Sequence, residues 1–231
     1  MSIATLPVPS YADLPALLAR LTGDEKHSPS ATSTLDVLWV LYNRVLRIDP
    51  TRVDDPERDR FLLSKGHGPA AYYAVLAAHG VFPVEWLDTF GRAGSPLGHH
   101  PDRSLIPGVE ISSGSLGHGL PIATGLAIGL RAQSNPARTI VLLGDAELDE
   151  GSNHEAIVVA GAARLDRLTA VVVDNRSASL GWPGGPARRF AGEGWAAETV
   201  DGRDHAQLER ALTAHHPGRP TAVVATVGVR R

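Results

Sequence analysis

Two continuous runs of apolar and β-branched residues lie near the middle of the chain, at residues 139–143 and 168–173. Runs of this kind are typical of strands that are buried on both faces of a parallel sheet. Between them, from about residue 152 to residue 168, small and apolar residues recur at helical spacing. The pattern therefore predicts a strand–helix–strand unit with two parallel strands.

The rest of the chain alternates between helical patterns and short apolar runs. Ser10 and Gly23 suit the start and the end of a short helix over residues 10–23. Residues 182–190 are rich in glycine and proline, which predicts a loop. The other predicted elements are helices at 34–46, 70–79, 83–91, 120–132 and 205–215, a short strand before His67, and a strand at 220–227.

Length and composition limit the class of protein. The 231 residues, with 43% hydrophobic and 20% charged side chains, suit one large α/β domain or two small ones. The net charge is −3 and the basic residues are scattered, so we expect no nucleic-acid partner. Cysteine is absent, which excludes disulfides, thiolate metal sites and a cysteine nucleophile.

No targeting or membrane-spanning segment is recognised. Residues 1–10 lack the basic and apolar regions of a signal peptide. No apolar run approaches the length of a membrane span. We therefore expect a cytoplasmic protein without a membrane partner.

Polar side chains directly follow each of the two central strands. Asp145 comes after the first strand, and Asn175 comes just after the second. Because parallel strands end at the same edge of a sheet, the two side chains can converge there. A carboxylate, an amide oxygen and a backbone carbonyl are the hard ligands that Mg²⁺ takes, together with phosphate oxygens and water. On these residues alone, an ordinary turn without a ligand is the alternative.

A glycine- and serine-rich segment leads into the helix predicted at 120–132. Gly114, Ser115 and Leu116 precede it, and small residues recur along the helix. Backbone N–H groups at such a helix start can receive a diphosphate, although a simple glycine-rich turn is the alternative. The segment matches neither a P-loop nor a dinucleotide-binding fingerprint.

Several of these motifs resemble those of transketolases, which are thiamine diphosphate (ThDP) enzymes. Gly144-Asp145-Ala146, with Asn175 later, resembles the family's metal and diphosphate motif, with Ala146 and Asp174 replacing a Gly and an Asn. Leu63-Ser64-Lys65-Gly66-His67 resembles a transketolase histidine motif, and residues 106–119 give the strongest match. His27 and His100 align with two further family histidines.

The resemblance implies an α/β fold with a mainly parallel sheet and helices on both faces. It implies that residues 1–231 form a single ThDP-binding domain, the N-terminal half of a split transketolase. The cofactors would be ThDP and Mg²⁺. The partner would be a C-terminal, pyrimidine-binding subunit in an α₂β₂ assembly, because the chain lacks the family's glutamate-bearing domain and its later Lys-Gly-Lys-Gly loop.

The resemblance also implies roles for individual residues. Mg²⁺ would be held by Asp145, Asn175 and the Ser177 carbonyl. The catalytic set would be His27, His67 and His100, lining the substrate channel, and Glu150, which meets its counterpart across the dimer. The expected ThDP contacts are His67, Gly114, Ser115, Leu116, Gly144, Ala146, Glu147 and Asn175.

The implied activity is transfer of a two-carbon ketol unit from a ketose phosphate. The acceptor would be an aldose phosphate or a carrier-bound thiol on a lipoyl or acyl carrier domain. Histidines suit this chemistry because they exchange protons with sugar hydroxyls near neutral pH. The alternatives are one component of a 2-oxo acid dehydrogenase or decarboxylase, and a non-catalytic paralogue.

Overall fold

The computed structural model describes residues 10–21 and 28–228, and for residues 28–31 it describes the backbone only. Within these residues five strands form one parallel sheet in the order β1-β2-β3-β5-β4. The predicted fold class, including the central strand–helix–strand unit, is confirmed. The strands are β1 Arg60–Leu63, β2 Thr139–Gly144, β3 Leu168–Asp174, β4 Ala196–Asp201 and β5 Thr221–Thr226.

Helices connect the strands and cover the sheet. Short 3₁₀ turns at Tyr11–Asp13, Val84–Thr89 and Ala146–Asp149 and a π-helical turn at Leu41–Val45 supplement them. The α-helices are α1 Leu14–Ala19, α2 Ser28–Val40, α3 Ala70–Ala78, α4 Gly119–Ala132, α5 Gly151–Ala162, α6 Gly185–Gly192 and α7 His205–Thr213. None of the helices described here is long and apolar enough to cross a membrane.

Alternate residues of the central strands face two separate cores. In β2, Ile140 and Leu142 pack with residues of α1, α2, α3 and α7 on one face. Val141 and Leu143 pack with residues of α4, α5 and α6 on the other face. All four side chains are buried, and burying each one contributes about 1.5–3 kcal/mol to stability. This double burial explains why the strand reads as a continuous apolar run rather than an alternating one.

Three predicted elements differ from the structure. The loop predicted at 182–190 is wrong from Gly185 onwards, where α6 begins with Pro186 in its first turn. Proline fits there because the first helical N–H groups need no partner within the helix. The helix predicted at 34–46 instead begins at Ser28 and ends at Val40 in a π-helical turn. The region predicted as a helix at 83–91 is a 3₁₀ turn.

The first helix and one edge strand also differ in detail. Ser10 does cap the chain, since its Oγ accepts a hydrogen bond from the Ala12 N–H, but the cap begins a 3₁₀ turn before α1. Gly23 lies outside the described residues. Strand β4 was not predicted, because Ala196 and Val200 are its only buried residues and its apolar pattern is therefore interrupted.

The register of the sheet sets the position of the candidate site. Gly144 at the end of β2 pairs with Val173 in β3, and the Asp145 N–H donates to the Val173 carbonyl at 3.1 Å. The ends of β2 and β3 are therefore adjacent at one edge of the sheet. Asp145 and the loop that follows Asp174 therefore leave the sheet at this edge.

Candidate active site

Asp145 is buried at this edge, with 2% of its surface exposed. Its carboxylate accepts hydrogen bonds from the Ser177 N–H at 2.6 Å, the Ser177 hydroxyl at 2.6 Å and the Ala178 N–H at 3.1 Å. The loop after β3 is therefore folded directly onto Asp145. The structure brings together the two strand ends that the sequence predicted to converge.

Asn175 supplies a buried oxygen without a hydrogen bond. Its Oδ1 has no hydrogen-bond partner among the described residues. Leaving a buried acceptor unpaired costs about 1–3 kcal/mol, so an atom of this kind calls for a ligand. The Asp145 carboxylate lies at the end of the adjacent strand, and carboxylate and amide oxygens are of the type that Mg²⁺ takes. Ser177 faces Asp145 through its N–H and hydroxyl, and the metal role expected for its carbonyl stays a prediction.

Glu147 accepts hydrogen bonds from three segments of the site. Its Oε1 accepts hydrogen bonds from the Ser64 hydroxyl and from the Gly117 N–H at 3.1 Å, and its Oε2 accepts one from the Gly144 N–H at 3.3 Å. Burial raises the pKa of this carboxyl, and the same hydrogen bonds partly offset the effect. Glu147 thereby fixes the ends of β1 and β2 against the glycine-rich segment.

Lys65 places a cation beside these carboxylates. It is only 4% exposed, and its side chain passes close to Gly144. A Cβ added at Gly144 would lie 3.4 Å from Cδ of Lys65. Burial lowers the pKa of Lys65 to about 8, while Asp145 and Glu147 act in the opposite direction. Lys65 was not predicted as a site residue, although it lies two residues after the end of β1.

Glycines allow the segments around the site to approach closely. At Gly119, the first residue of α4, a Cβ would overlap the side chain of Ser64. The Ser64 hydroxyl instead accepts a hydrogen bond from the Gly119 N–H at 3.0 Å. Gly114 has φ of +134°, a conformation that favours glycine, and a Cβ there would lie 3.0 Å from Cδ2 of His100. The glycine-rich segment thus contacts both the end of β1 and the loop that carries His100.

The predicted histidines are partly brought together. His100 is exposed and packs against Gly114, whereas its neighbour His99 packs against Phe90, with ring centroids 5.4 Å apart. His67 is partly buried and follows Gly66, where a Cβ would lie 2.6 Å from the Ser113 Oγ. His67 and His100 therefore flank the same glycine-rich segment. His27 lies outside the described residues.

The remaining predicted residues surround the same region. Ser115 and Leu116 are exposed, and the Ser115 hydroxyl lies 2.8 Å from Nδ1 of His118. Ala146 is partly buried at the start of the 3₁₀ turn that follows β2. Glu150 precedes α5 and packs closely on Gly117. A Cβ added at Gly117 would lie 2.6 Å from the Cβ of Glu150. Their catalytic and cofactor-binding roles stay predictions.

Comparison with known proteins identifies the family. A family model described as "Transketolase, thiamine diphosphate binding domain" matches residues 22–229. The chain belongs to the transketolase family. Since that model describes a ThDP-binding domain, the ThDP part of the predicted cofactor set is supported, and Mg²⁺ stays a prediction.

One relative and a solved structure carry transketolase names, and a second relative carries another name. The chain is 43% identical over 150 residues to one subunit of the apulose-4-phosphate transketolase of Actinobacillus succinogenes, covering 65% of this chain and 54% of that protein. It is 59% identical over 219 residues to a Rhodococcoides fascians protein named ferredoxin fas2, covering 94% of this chain and 72% of that protein. The transketolase of Leishmania mexicana superposes with a TM-score of 0.77 at 27% identity, covering 95% of this chain and 37% of that enzyme.

Proposed function

We propose that this chain is the diphosphate-binding subunit of a two-component enzyme that depends on ThDP and Mg²⁺. The enzyme would transfer a two-carbon ketol unit from a ketose phosphate to an aldose phosphate or to a thiol on a lipoyl or acyl carrier domain. The observation that carries the proposal is the unpaired, buried Oδ1 of Asn175 at the strand edge where Asp145 is buried.

The donor atoms at this edge are suited to the metal and the diphosphate. Asp145, Asn175 and the Ser177 carbonyl would hold Mg²⁺. The N–H groups around Gly114, Ser115, Leu116 and Ala146 would contact the diphosphate, with Gly144 and Glu147 supporting them and His67 beside the cofactor. ThDP, when bound, supplies the electron sink for carbon–carbon bond cleavage.

The histidines would serve the substrate. His67 and His100 flank the glycine-rich segment, and His27 would complete the set. Imidazoles bind hydroxyls and exchange protons near neutral pH, so they suit a polyhydroxylated ketose better than a 2-oxo acid. The related Actinobacillus protein is named for a ketose phosphate substrate, which supports the same substrate class.

The partner would be a C-terminal, pyrimidine-binding subunit, and the two subunits would form a cytoplasmic α₂β₂ assembly. Residues 1–231 would act as one domain. Glu150 would meet a counterpart acid across the dimer. The Actinobacillus relative is named as one subunit of its enzyme, which supports a separate partner. The neighbouring helices α4 and α5 also expose large apolar side chains, which is typical of subunit interfaces. These are Ile122, Ile128, Val158 and Val159.

A second function is suggested by the name of the Rhodococcoides relative. Ferredoxins hold iron–sulfur clusters through cysteine thiolates. Because this sequence contains no cysteine, the region it shares with that relative has no such ligands here. Ketol transfer therefore fits the residues better than electron transfer.

Asn175→Ala tests the metal assignment. The variant removes an oxygen that has no hydrogen-bond partner among the described residues, so folding should not suffer, whereas Mg²⁺ should lose a ligand. We expect Mg²⁺-dependent ThDP binding to weaken about 10-fold or more, with an unchanged or slightly higher unfolding temperature. Asp145→Ala should abolish binding. Calorimetry of the assembled enzyme measures both, and unchanged affinity in both variants would contradict the site.

A further inference from the structure

Two carboxylates fasten the loop at residues 175–180 to the 3₁₀ turn Ala146–Asp149. Asp145, directly before the turn, holds Ser177 and Ala178, as described above. Asp149, at the end of the turn, holds the next two residues. Its Oδ2 accepts hydrogen bonds from the Ser179 N–H at 2.9 Å, the Ser179 hydroxyl at 2.9 Å and the Leu180 N–H at 3.3 Å.

The conformation of this loop depends on these anchors. Arg176 adopts φ of +62°, a left-handed conformation that costs a non-glycine residue about 1–2 kcal/mol. A hydrogen bond from the Arg176 N–H to Asp174 at 3.0 Å supports that turn. At the other end, Leu180 is 70% exposed and therefore contributes little burial. Residues 177–180 are therefore held mainly by their hydrogen bonds to the carboxylates of Asp145 and Asp149.

The two anchors would respond differently to a metal ion. If Asp145 binds Mg²⁺, as in the proposed function, its carboxylate must be shared between the cation and the loop N–H groups. Asp149 is outside the expected ligand set, and the hydrogen bonds to the loop use its Oδ2 alone. Its other oxygen, Oδ1, is buried and has no hydrogen-bond partner among the described residues. The hydrogen bonds to Oδ2 can therefore persist in the metal-bound protein. The hydrogen bond from the Ser179 N–H helps to hold the pKa of Asp149 below its usual value.

We propose that Asp149 is a positioning residue that holds loop 175–180 in the conformation in which Asn175 and Ser177 present their oxygens to Mg²⁺. The proposal rests on the proposed function and adds a residue that does not touch the cation. Residues that orient metal ligands from the next layer are worth about 10–100-fold in metal affinity.

The test uses Asp149→Ala, the milder Asp149→Asn and a matched control. Asp49 accepts hydrogen bonds from the Thr51 N–H at 2.8 Å and the Thr51 hydroxyl at 2.7 Å, the same pattern in an exposed turn before β1. Asp49→Ala therefore removes a carboxylate that accepts the same two kinds of hydrogen bond, but within a local turn far from loop 175–180. Hydrogen–deuterium exchange at Ser179 and Leu180 in the chain without metal measures anchoring, and Mg²⁺ titration of the assembled, ThDP-saturated enzyme measures its consequence.

We expect Asp149→Ala to speed exchange at both amides and to weaken Mg²⁺ binding about 10-fold or more. Asp149→Asn should fall between it and the wild type, because the amide oxygen still accepts a hydrogen bond. Excess Mg²⁺ should restore turnover in Asp149→Ala but not in Asp145→Ala, since only the latter loses a ligand. Asp49→Ala should match the wild type in every measurement.

The outcomes separate this proposal from the proposed function. Normal Mg²⁺ binding by the wild type and by Asp149→Ala would overturn the positioning role and leave the metal site standing. Absence of Mg²⁺ binding by the assembled wild type would overturn both. If Asp149→Ala fails to fold, Asp149→Asn decides, and wild-type behaviour of that variant in exchange and titration overturns the proposal.

Discussion

Asp59 connects several segments at the opposite end of the sheet, where the strands begin. It is completely buried just before β1 and accepts hydrogen bonds from the backbone N–H groups of Arg47 at 2.9 Å and Arg138 at 3.0 Å. Both guanidinium groups also bind its carboxylate, at 2.9 Å and 2.5 Å. Burial alone would raise the pKa of Asp59, but the hydrogen bonds from Arg138 and Arg47 outweigh it, so the pKa lies below its usual value.

Asp59→Asn should therefore cost stability in a pH-dependent way. A carboxyl whose pKa is lower in the folded state stabilises that state fully above the unfolded pKa of about 4 and loses this contribution as the pH falls through the folded pKa. We expect a loss of about 3–5 kcal/mol at pH 7 and a shallower decline in stability below pH ~4. Urea unfolding at several pH values measures both effects. The exposed Asp54→Asn serves as control, and equal stability of the two variants would contradict this account.

Individual site residues were predictable where the strand pattern fixed their position. Asp145 and Asn175 follow continuous buried strands, so their position at the same edge follows from the parallel sheet. Lys65 and Asp149 have no comparable signal. The burial of Lys65 depends on how its side chain crosses Gly144, and the contacts of Asp149 depend on the folded conformation of the loop after β3.

At the scale of elements, the start of α4 is the part of the site most sensitive to side-chain volume. Gly119 packs against Ser64, which in turn donates to Glu147 beneath the site. Gly125 on the same helix has no atom within 4 Å of the position where a Cβ would lie. The two glycines therefore differ in packing but share a helical backbone.

Gly119→Ala and Gly125→Ala should have opposite effects. The added methyl group at Gly119 must displace the end of β1, which we expect to cost about 1–3 kcal/mol and to weaken ThDP binding. At Gly125, alanine gains helix propensity and should stabilise by up to about 1 kcal/mol. Thermal unfolding of the chain followed by circular dichroism compares them. Equal unfolding temperatures would show that the close packing at Gly119 does not constrain the site.

Element prediction succeeded for buried, periodic segments and failed where local composition misled. The glycine- and proline-rich stretch before Phe190 suggested a loop, yet Pro186 fits a first helical turn and Phe190 is buried against Trp195, with ring centroids 5.0 Å apart. Tertiary packing therefore decided α6. Strand β4 is an edge strand with a mixed burial pattern, so it lacked the continuous apolar run that revealed β2 and β3.

At the scale of the whole molecule, the proposed function includes a second subunit. The chain spans 54% of the Actinobacillus relative and 37% of the Leishmania transketolase. We expect the purified 231-residue chain to bind ThDP weakly and to show no turnover. Adding the pyrimidine-binding subunit should restore activity in an assembly with two copies of each component. Activity assays with analytical ultracentrifugation test this, and full turnover by the chain alone would refute it.

In the proposed function, the assembled enzyme cleaves a ketose phosphate. A 2-oxo acid must lose CO₂, whereas a ketose phosphate must have its hydroxyls held and one deprotonated, which suits His27, His67 and His100. Acid-quench NMR of the cofactor distinguishes the two reactions most directly. We expect a dihydroxyethyl adduct of ThDP from a ketose phosphate such as xylulose 5-phosphate. A hydroxyethyl adduct from pyruvate, with no adduct from any ketose phosphate, would contradict it.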